Sequence, residues 1–108
     1  MNNKEIFKRL YELSAVHNRM ALATVVKTKG STPREKGAKM IICPDGKFEG
    51  TIGGGCGEAE VWQKAMEALE SGQNILVTVE LTEDAELGEK ICGGVMDVFV
   101  DIWKGENS

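Results

Sequence analysis

The most informative stretch of this sequence is GTIGGGCGE, residues 50–58, in which three adjacent glycines and a cysteine precede a helical pattern. Adjacent glycines cost backbone entropy, but they let the chain turn sharply and bring its N–H groups close to a ligand. Apolar residues from 61 to 69 then repeat at helical spacing, and Gly72 closes the predicted helix. A strand, a glycine turn and a helix N-terminus together favour anion binding, because the first amides of a helix are unpaired and lie at its positive end.

Working outward towards the N-terminus, Asn2 and Glu5 have the spacing of a capping box, which begins an amphipathic helix predicted over residues 3–18. Residues 20–26 are apolar on both faces, which is typical of a strand covered on both sides. Residues 39–52 are predicted to form a hairpin around the turn Pro44-Asp45-Gly46.

Towards the C-terminus, residues 75–81 alternate as a half-exposed strand, and residues 95–103 alternate in the same way. This order predicts an α/β (α+β) domain with a mixed sheet of about five strands and flanking helices. The second helix is expected to cross over to a parallel strand. At 108 residues, the chain is expected to form a single domain over residues 1–108.

The charge of the chain limits its partners. A net charge of −4 argues against sequence-independent binding of nucleic acid, which needs a basic surface. Residues 27–39 are nevertheless basic and residues 80–90 acidic, so the first segment either receives an anion or is a solvated loop. We expect no signal peptide and no membrane span. Three cysteines, an odd number, indicate a reducing compartment, so a cytoplasmic location is expected.

Cys56 is the main candidate for chemistry, because a thiol beside a helix N-terminus is stabilised as the nucleophilic, metal-binding thiolate. Cys92, followed by Gly93 and Gly94, repeats this pattern, and the two thiols would face one pocket if both loops reach the same end of the sheet. A hydrolytic pair with His17 has little support, because that histidine lies on an apolar face of the predicted helix.

Several further interpretations concern the glycine stretch and the remaining candidate residues. The glycine stretch could be a tight turn without a ligand, and it fits neither the dinucleotide nor the phosphate-loop fingerprint. A structural zinc site is poorly supported, because no C-x-x-C pair is present. Cys43 is expected to be a buried small apolar residue. Ser31, Thr32 and Arg34 offer oxyanion donors, and Glu58 either complements the helix dipole or binds a donor group of a ligand such as a pterin.

Five blocks in register resemble the N-terminal domain of the XdhC/CoxI family. They are ATVV at 23–26, GSTPR at 30–34, GAKM at 37–40, GTIGGGC at 50–56 with Glu58, and CGG at 92–94. Gly57 stands where that family more often has an aliphatic residue, which is expected to loosen the start of the helix. Longer family members continue into a Rossmann-like domain, which these 108 residues do not include.

The resemblance implies an accessory protein, rather than an enzyme, that binds molybdenum cofactor (molybdopterin) and assists its sulfuration and insertion into a molybdenum hydroxylase such as xanthine dehydrogenase. The implied partners are the apo-hydroxylase, a sulfur donor such as a cysteine desulfurase, a separate Rossmann subunit and a second copy of the chain. The alternative is a thiol-dependent enzyme or redox protein that uses Cys56 with Cys92. Both cysteines are candidate molybdenum ligands. The candidate cofactor-binding residues are Ser31, Thr32, Arg34, Gly53, Gly54, Gly55, Cys56, Glu58, Cys92 and Gly93.

Overall fold

The computed structural model describes residues 1–30, 32, 35–53, 57–81 and 93–105. These residues form two helices and five strands. The elements in chain order are α1 (Asn3–Ser14), β1 (Arg19–Lys29), β2 (Lys39–Ile42), β3 (Phe48–Gly50), α2 (Glu58–Ser71), β4 (Ile75–Glu80) and β5 (Val95–Lys104). Neither helix is long and apolar enough to cross a bilayer, within the part of the chain that the structure describes.

The first helix begins where the capping box predicts. The Asn2 side chain accepts a hydrogen bond from the Glu5 amide at 2.8 Å, and the Glu5 carboxylate accepts one from the Asn2 amide. The helix ends at Ser14, four residues earlier than the periodicity predicts. The reason is tertiary: β1 begins at Arg19, which pairs with Lys104 of β5, so the intervening residues must turn the chain back towards the sheet.

The five strands have the order β3-β2-β1-β5-β4. The α+β class, the five strands and the flanking helices are confirmed. The expected parallel pair is not found among the described strands, because all four neighbouring pairs are antiparallel. Helix α2 does connect two strands of the same direction, β3 and β4. These strands occupy opposite edges, since β2, β1 and β5 lie between them.

The two helices cover opposite faces of the sheet. Helix α1 packs on one face through Ile6 and Leu10, which contact Met20, Leu22 and Ile41 in a small apolar cluster. Helix α2 covers the other face with a larger cluster. Its members are Ala21, Ala23, Val25, Met40, Ile42, Ile52, Val61, Ala65, Ala68, Leu69, Val77, Val79, Leu81, Met96, Val98 and Val100. The central strand β1 therefore contributes to both clusters, as its two apolar faces predict.

The register of β1 against β5 shifts between Val25 and Lys27, so Val26 is an extra residue in the ladder. A bulge of this kind reorients the side chain next to it. Val26 is accordingly exposed, although its position in an apolar run predicts a covered residue.

Strand direction places several loops together. β1 and β4 finish, and β5 begins, at one end of the sheet, where Lys29 pairs with Val95 and Val95 with Glu80. β3 also finishes there, and α2 begins after the connection that follows it. We call this the glycine end, because the described connections at it carry Gly30, Gly57 and Gly93.

Candidate functional site

Two loops touch at the glycine end through glycine backbone. Gly30 follows β1 with φ +76°, and a Cβ built on it would lie 3.3 Å from the Cα of Gly94 and 3.8 Å from the carbonyl oxygen of Gly93. An L-residue would be strained in this conformation as well as crowded. The GSTPR and CGG blocks, 63 residues apart at Gly30 and Gly93, are thus brought into contact by the fold.

The glycine-rich segment also lies close to this contact, through Gly57, the residue before α2. Gly57 has φ +81°, and a Cβ there would lie 2.5 Å from Val79 Cγ1 and 3.1 Å from Leu81 Cδ2. Leu81 in turn donates its amide to the Gly94 carbonyl at 2.7 Å. Gly57 offers no side-chain cap to the start of the helix, and its lack of a Cβ leaves room for Val79 and Leu81. It is the residue that allows the helix to begin against β4.

A side-chain pair closes the glycine-rich segment. Thr51 Oγ1 donates to Glu58 Oε2 at 2.6 Å, and the Gly53 amide donates to Thr51 Oγ1 at 3.0 Å. The Gly53 N–H is thus directed at the Thr51 hydroxyl. Thr51 was not among the predicted site residues. In the sequence, Thr51 stands seven residues before Glu58, on the other side of the glycines, and this spacing could have indicated the pair.

The predicted site residues fall into two groups. Ser31, Arg34, Gly54, Gly55, Cys56 and Cys92 lie outside the described residues. The others all lie at the glycine end: Thr32 is half-buried, Gly53 and Glu58 flank the undescribed glycines and are half-buried, and Gly93 is exposed.

A cleft of about 530 Å³ opens beside the glycine-rich segment. Thr51 lines one side, the N-terminus of α1 another, and residues 35–39 the third. The last segment brings Lys36 and Lys39, and the Lys39 ammonium donates to the Gly37 carbonyl at 3.0 Å. The cleft thus contains two of the basic residues of segment 27–39 together with its one acid, Glu35.

A second hollow, of about 390 Å³, lies on the α2 side of the sheet. Met40, Phe48 and Trp62 form apolar walls, and Glu58 stands at its border. The Trp62 indole is held by a hydrogen bond from Nε1 to the Gly46 carbonyl at 2.9 Å. A flat ring with one donor group would fit such a lining, since apolar walls with few polar groups are typical of cofactor pockets.

His17 is not on a helix, which corrects the predicted placement. It follows α1 and precedes β1, at the opposite end of the sheet from Gly57. β1 has 11 residues, which at about 3.3 Å per residue separates the two ends by roughly 35 Å. Since Gly57 directly follows Cys56 in the chain, this separation argues against a Cys56–His17 hydrolytic pair.

These features define a small α+β domain whose glycine-bearing loops gather at one end of an antiparallel sheet. The XdhC and CoxI family model matches residues 13–80, which is more than half of the chain. The chain belongs to this family.

Two curated relatives come from Escherichia coli K12. YqeB, described as uncharacterized, is 34% identical over 98 residues, covering 90% of this chain and 18% of its own length. The molybdenum cofactor insertion chaperone PaoD is 38% identical over 53 residues, covering 49% of this chain and 17% of its own length. This chain therefore spans about a fifth of each relative.

A solved structure shares the fold. A xanthine dehydrogenase from Bacillus halodurans superposes with a TM-score of 0.71 at 26% identity, over 87% of this chain and 29% of that one.

Proposed function

We propose that this domain handles molybdenum cofactor as an accessory protein for a molybdenum hydroxylase such as xanthine dehydrogenase. It would bind the cofactor transiently at the glycine end, support its sulfuration and help its insertion into the apo-hydroxylase. The family, the chaperone PaoD and the Bacillus halodurans xanthine dehydrogenase support this class of role. The observation that carries it is the convergence of Gly57 and Gly94 on Leu81.

This convergence matters because of what lies next to these glycines in the chain. Cys56 precedes Gly57, and Cys92 precedes Gly93. Consecutive Cα atoms are about 3.8 Å apart. Cys56 is one residue away from Gly57, and Cys92 is two residues away from Gly94. Thiolates are soft ligands, and soft ligands suit a molybdenum and sulfur centre.

The anionic part of the cofactor has a separate place to bind. The pterin carries a phosphate, and the cleft beside Thr51 presents Lys36 and Lys39. The backbone amides at the start of α2 add a second positive region, because Gly57 has no side chain with which to cap them. We assign Ser31, Thr32 and Arg34 to the same anion-binding role. Glu58 would then accept a hydrogen bond from a donor group of the pterin ring, at the border of the hollow that Trp62 lines.

The partners follow from this role. The apo-hydroxylase receives the cofactor, a cysteine desulfurase or similar donor supplies sulfur, and a separate Rossmann subunit assists. A second copy of the chain would enlarge the small buried surface of a 108-residue domain. This role places the protein in the cytoplasm, where the apo-hydroxylase is assembled.

The test is a titration with molybdenum cofactor released from a purified molybdenum enzyme. Bound molybdenum is measured by mass spectrometry of the metal after gel filtration. Wild type should retain it stoichiometrically, and Cys56→Ala should lose most of it, with Cys92→Ala intermediate. Cys43→Ala is the matched control, because Cys43 lies in the turn that follows β2, at the opposite end of the sheet. Equal retention by wild type and Cys56→Ala would refute the role of the glycine end.

The two cysteines beside these glycines, Cys56 and Cys92, also suggest a second candidate, a thiol-dependent enzyme or redox protein. This candidate predicts turnover of a small disulfide or thioester substrate that stops in Cys56→Ala. An accessory protein predicts stoichiometric binding without turnover. The two functions therefore differ in a single multiple-turnover assay.

A further inference from the structure

A second cluster of metal-ligating side chains lies far from the glycine end. The ligand atoms of His17, Cys43 and Asp45 all lie within 4.8 Å of one another. Cys43 is buried, His17 is half-buried and Asp45 is exposed, so the cluster runs from the protein interior to the surface. The proposed function in cofactor handling involves none of these three residues.

Two of the three side chains belong to one tight turn. The Cys43 carbonyl accepts the Gly46 amide at 2.9 Å, and the Cys43 amide donates to the Lys47 carbonyl at 2.9 Å. Asp45 is anchored within that turn, because its Oδ1 accepts the Lys47 amide at 3.0 Å. The hairpin turn therefore presents a thiol and a carboxylate two residues apart.

The third side chain comes from the segment between α1 and β1. The His17 amide donates to the Leu13 carbonyl at 3.0 Å, which holds it to the last turn of α1. Gly105 packs directly on the His17 carbonyl and donates its amide to the Asn18 carbonyl at 2.7 Å. Two separate parts of the chain, the last turn of α1 and the residue after β5, thus hold the backbone of the segment that carries the imidazole.

We propose that His17, Cys43 and Asp45 form a binding site for Zn²⁺ or a similar borderline divalent cation. Sulfur, nitrogen and oxygen ligands together are the set that zinc takes, and three protein ligands leave a position for water. Zinc–ligand distances of about 2.0–2.3 Å place tetrahedral ligand atoms roughly 3.3–3.8 Å apart. The ligand atoms lie within 4.8 Å of one another, so metal binding would contract the cluster by up to about 1.5 Å.

Binding couples two segments that are distant in sequence. The metal replaces the thiol proton of Cys43, which passes to solvent, and the thiolate, imidazole and carboxylate then share the cation. The cation would tie the end of α1 to the β2–β3 hairpin, at the end of the sheet opposite to the cofactor loops. The site acts as a structural clamp and is independent of cofactor handling.

The experiment is a titration with Zn²⁺ and Co²⁺ of the Cys56→Ser/Cys92→Ser double variant of the full chain, which removes the other two thiols. We expect one equivalent to bind, with a Co²⁺–thiolate charge-transfer band in the near ultraviolet. His17→Gln and Asp45→Asn in the same background should each weaken binding at least ~10-fold, the lower bound seen when a group supporting a metal ligand is lost. Asp101→Asn, a carboxylate on β5, is the control and should change nothing.

A second readout separates the site from a general folding defect. Zn²⁺ at one fixed concentration should raise the Tm of the double variant by mass action, and it should raise that of Asp45→Asn in the same background less. Asp45 is exposed, so this variant is expected to fold. Absence of binding in the double variant would overturn the proposal, as would Zn²⁺ affinity that is unchanged in His17→Gln and Asp45→Asn.

Discussion

The hydroxyl of Thr51 lies 2.6 Å from Oε2 of Glu58, so one hydrogen bond joins the residues on either side of the glycine-rich segment. Thr51 Oγ1 also accepts a hydrogen bond from the Gly53 amide at 3.0 Å. A segment with several glycines has a large conformational entropy, and a side-chain bond between its two ends reduces the number of shapes it can take. This pair therefore ties the residue that follows β3 to the first residue of α2.

Replacing Thr51 by Val should destabilise the fold and weaken cofactor binding. The variant removes a hydrogen bond to a carboxylate and one from a backbone amide, at a cost of about 1.5 kcal/mol in the free energy of unfolding. Urea denaturation measures this change. The matched control is Thr78→Val, which removes an exposed bond of 2.8 Å to Asp97 on the strands. The control should cost less than ~0.5 kcal/mol and leave cofactor retention unchanged. Equal effects of the two variants would contradict a special role for Thr51.

Gly57→Ala should be among the most damaging single changes in the chain. It combines a positive φ of +81° with a Cβ only 2.5 Å from Val79 Cγ1. Left-handed strain costs roughly 1–2 kcal/mol and overpacking roughly 1–3 kcal/mol, so we expect a loss of about 2–5 kcal/mol by urea denaturation.

Gly37→Ala separates the two contributions to the Gly57 effect. Gly37 also has a positive φ, of +99°, but a Cβ there would meet nothing within 4 Å. This control should lose only the strain, roughly 1–2 kcal/mol. A loss at Gly57 no larger than that at Gly37 would mean that the packing against β4 is not tight.

The Arg9–Glu49 pair should make stability depend on pH in mild acid. The guanidinium donates to both carboxylate oxygens at 2.7 Å, and these hydrogen bonds lower the pKa of Glu49. A carboxyl group whose pKa is lower in the folded state binds fewer protons there than in the unfolded chain. Its contribution is thus present above the unfolded value of about 4.3 and is lost as the pH falls through the folded value.

Glu49→Gln should therefore flatten the acid side of the stability curve, measured by urea denaturation at pH values from 7 down to 3. The matched control is Glu12→Gln, which touches the same arginine at the longer distance of 3.4 Å. The control should retain most of the slope of wild type. A wild-type slope in Glu49→Gln would show that the pair does not contribute.

Thiol alkylation should distinguish Cys43 from Cys56. Burial raises the pKa of the Cys43 thiol, and the negative charges of Asp45 and Glu49 raise it further. With its side chain also shielded, Cys43 should react with iodoacetamide more slowly than Cys56 at neutral pH. Peptide mass spectrometry over time gives the individual rates. The prediction fails if Cys43 reacts as fast as Cys56 while the protein is folded.

Much of the architecture follows from local sequence patterns. The capping box of Asn2 and Glu5, the closing Gly72 of α2 and the alternation in β4 and β5 are all confirmed, because each depends on neighbours within a few residues. The end of α1 and the exposed Val26 could not be predicted in this way. The pairing of β1 with β5, some 75 residues further along the chain, determines both.

Residue types alone predict the chemistry of the glycine-rich stretch. Its thiol, its glycines and its flanking carboxylate are properties of individual residues. Only the tertiary structure decided which segments meet. It joined Gly30 to Gly94, Gly57 to Leu81, and His17 to Cys43. The physical reason is that strand order and register set these distances, and both are determined by cooperative packing across the whole sheet.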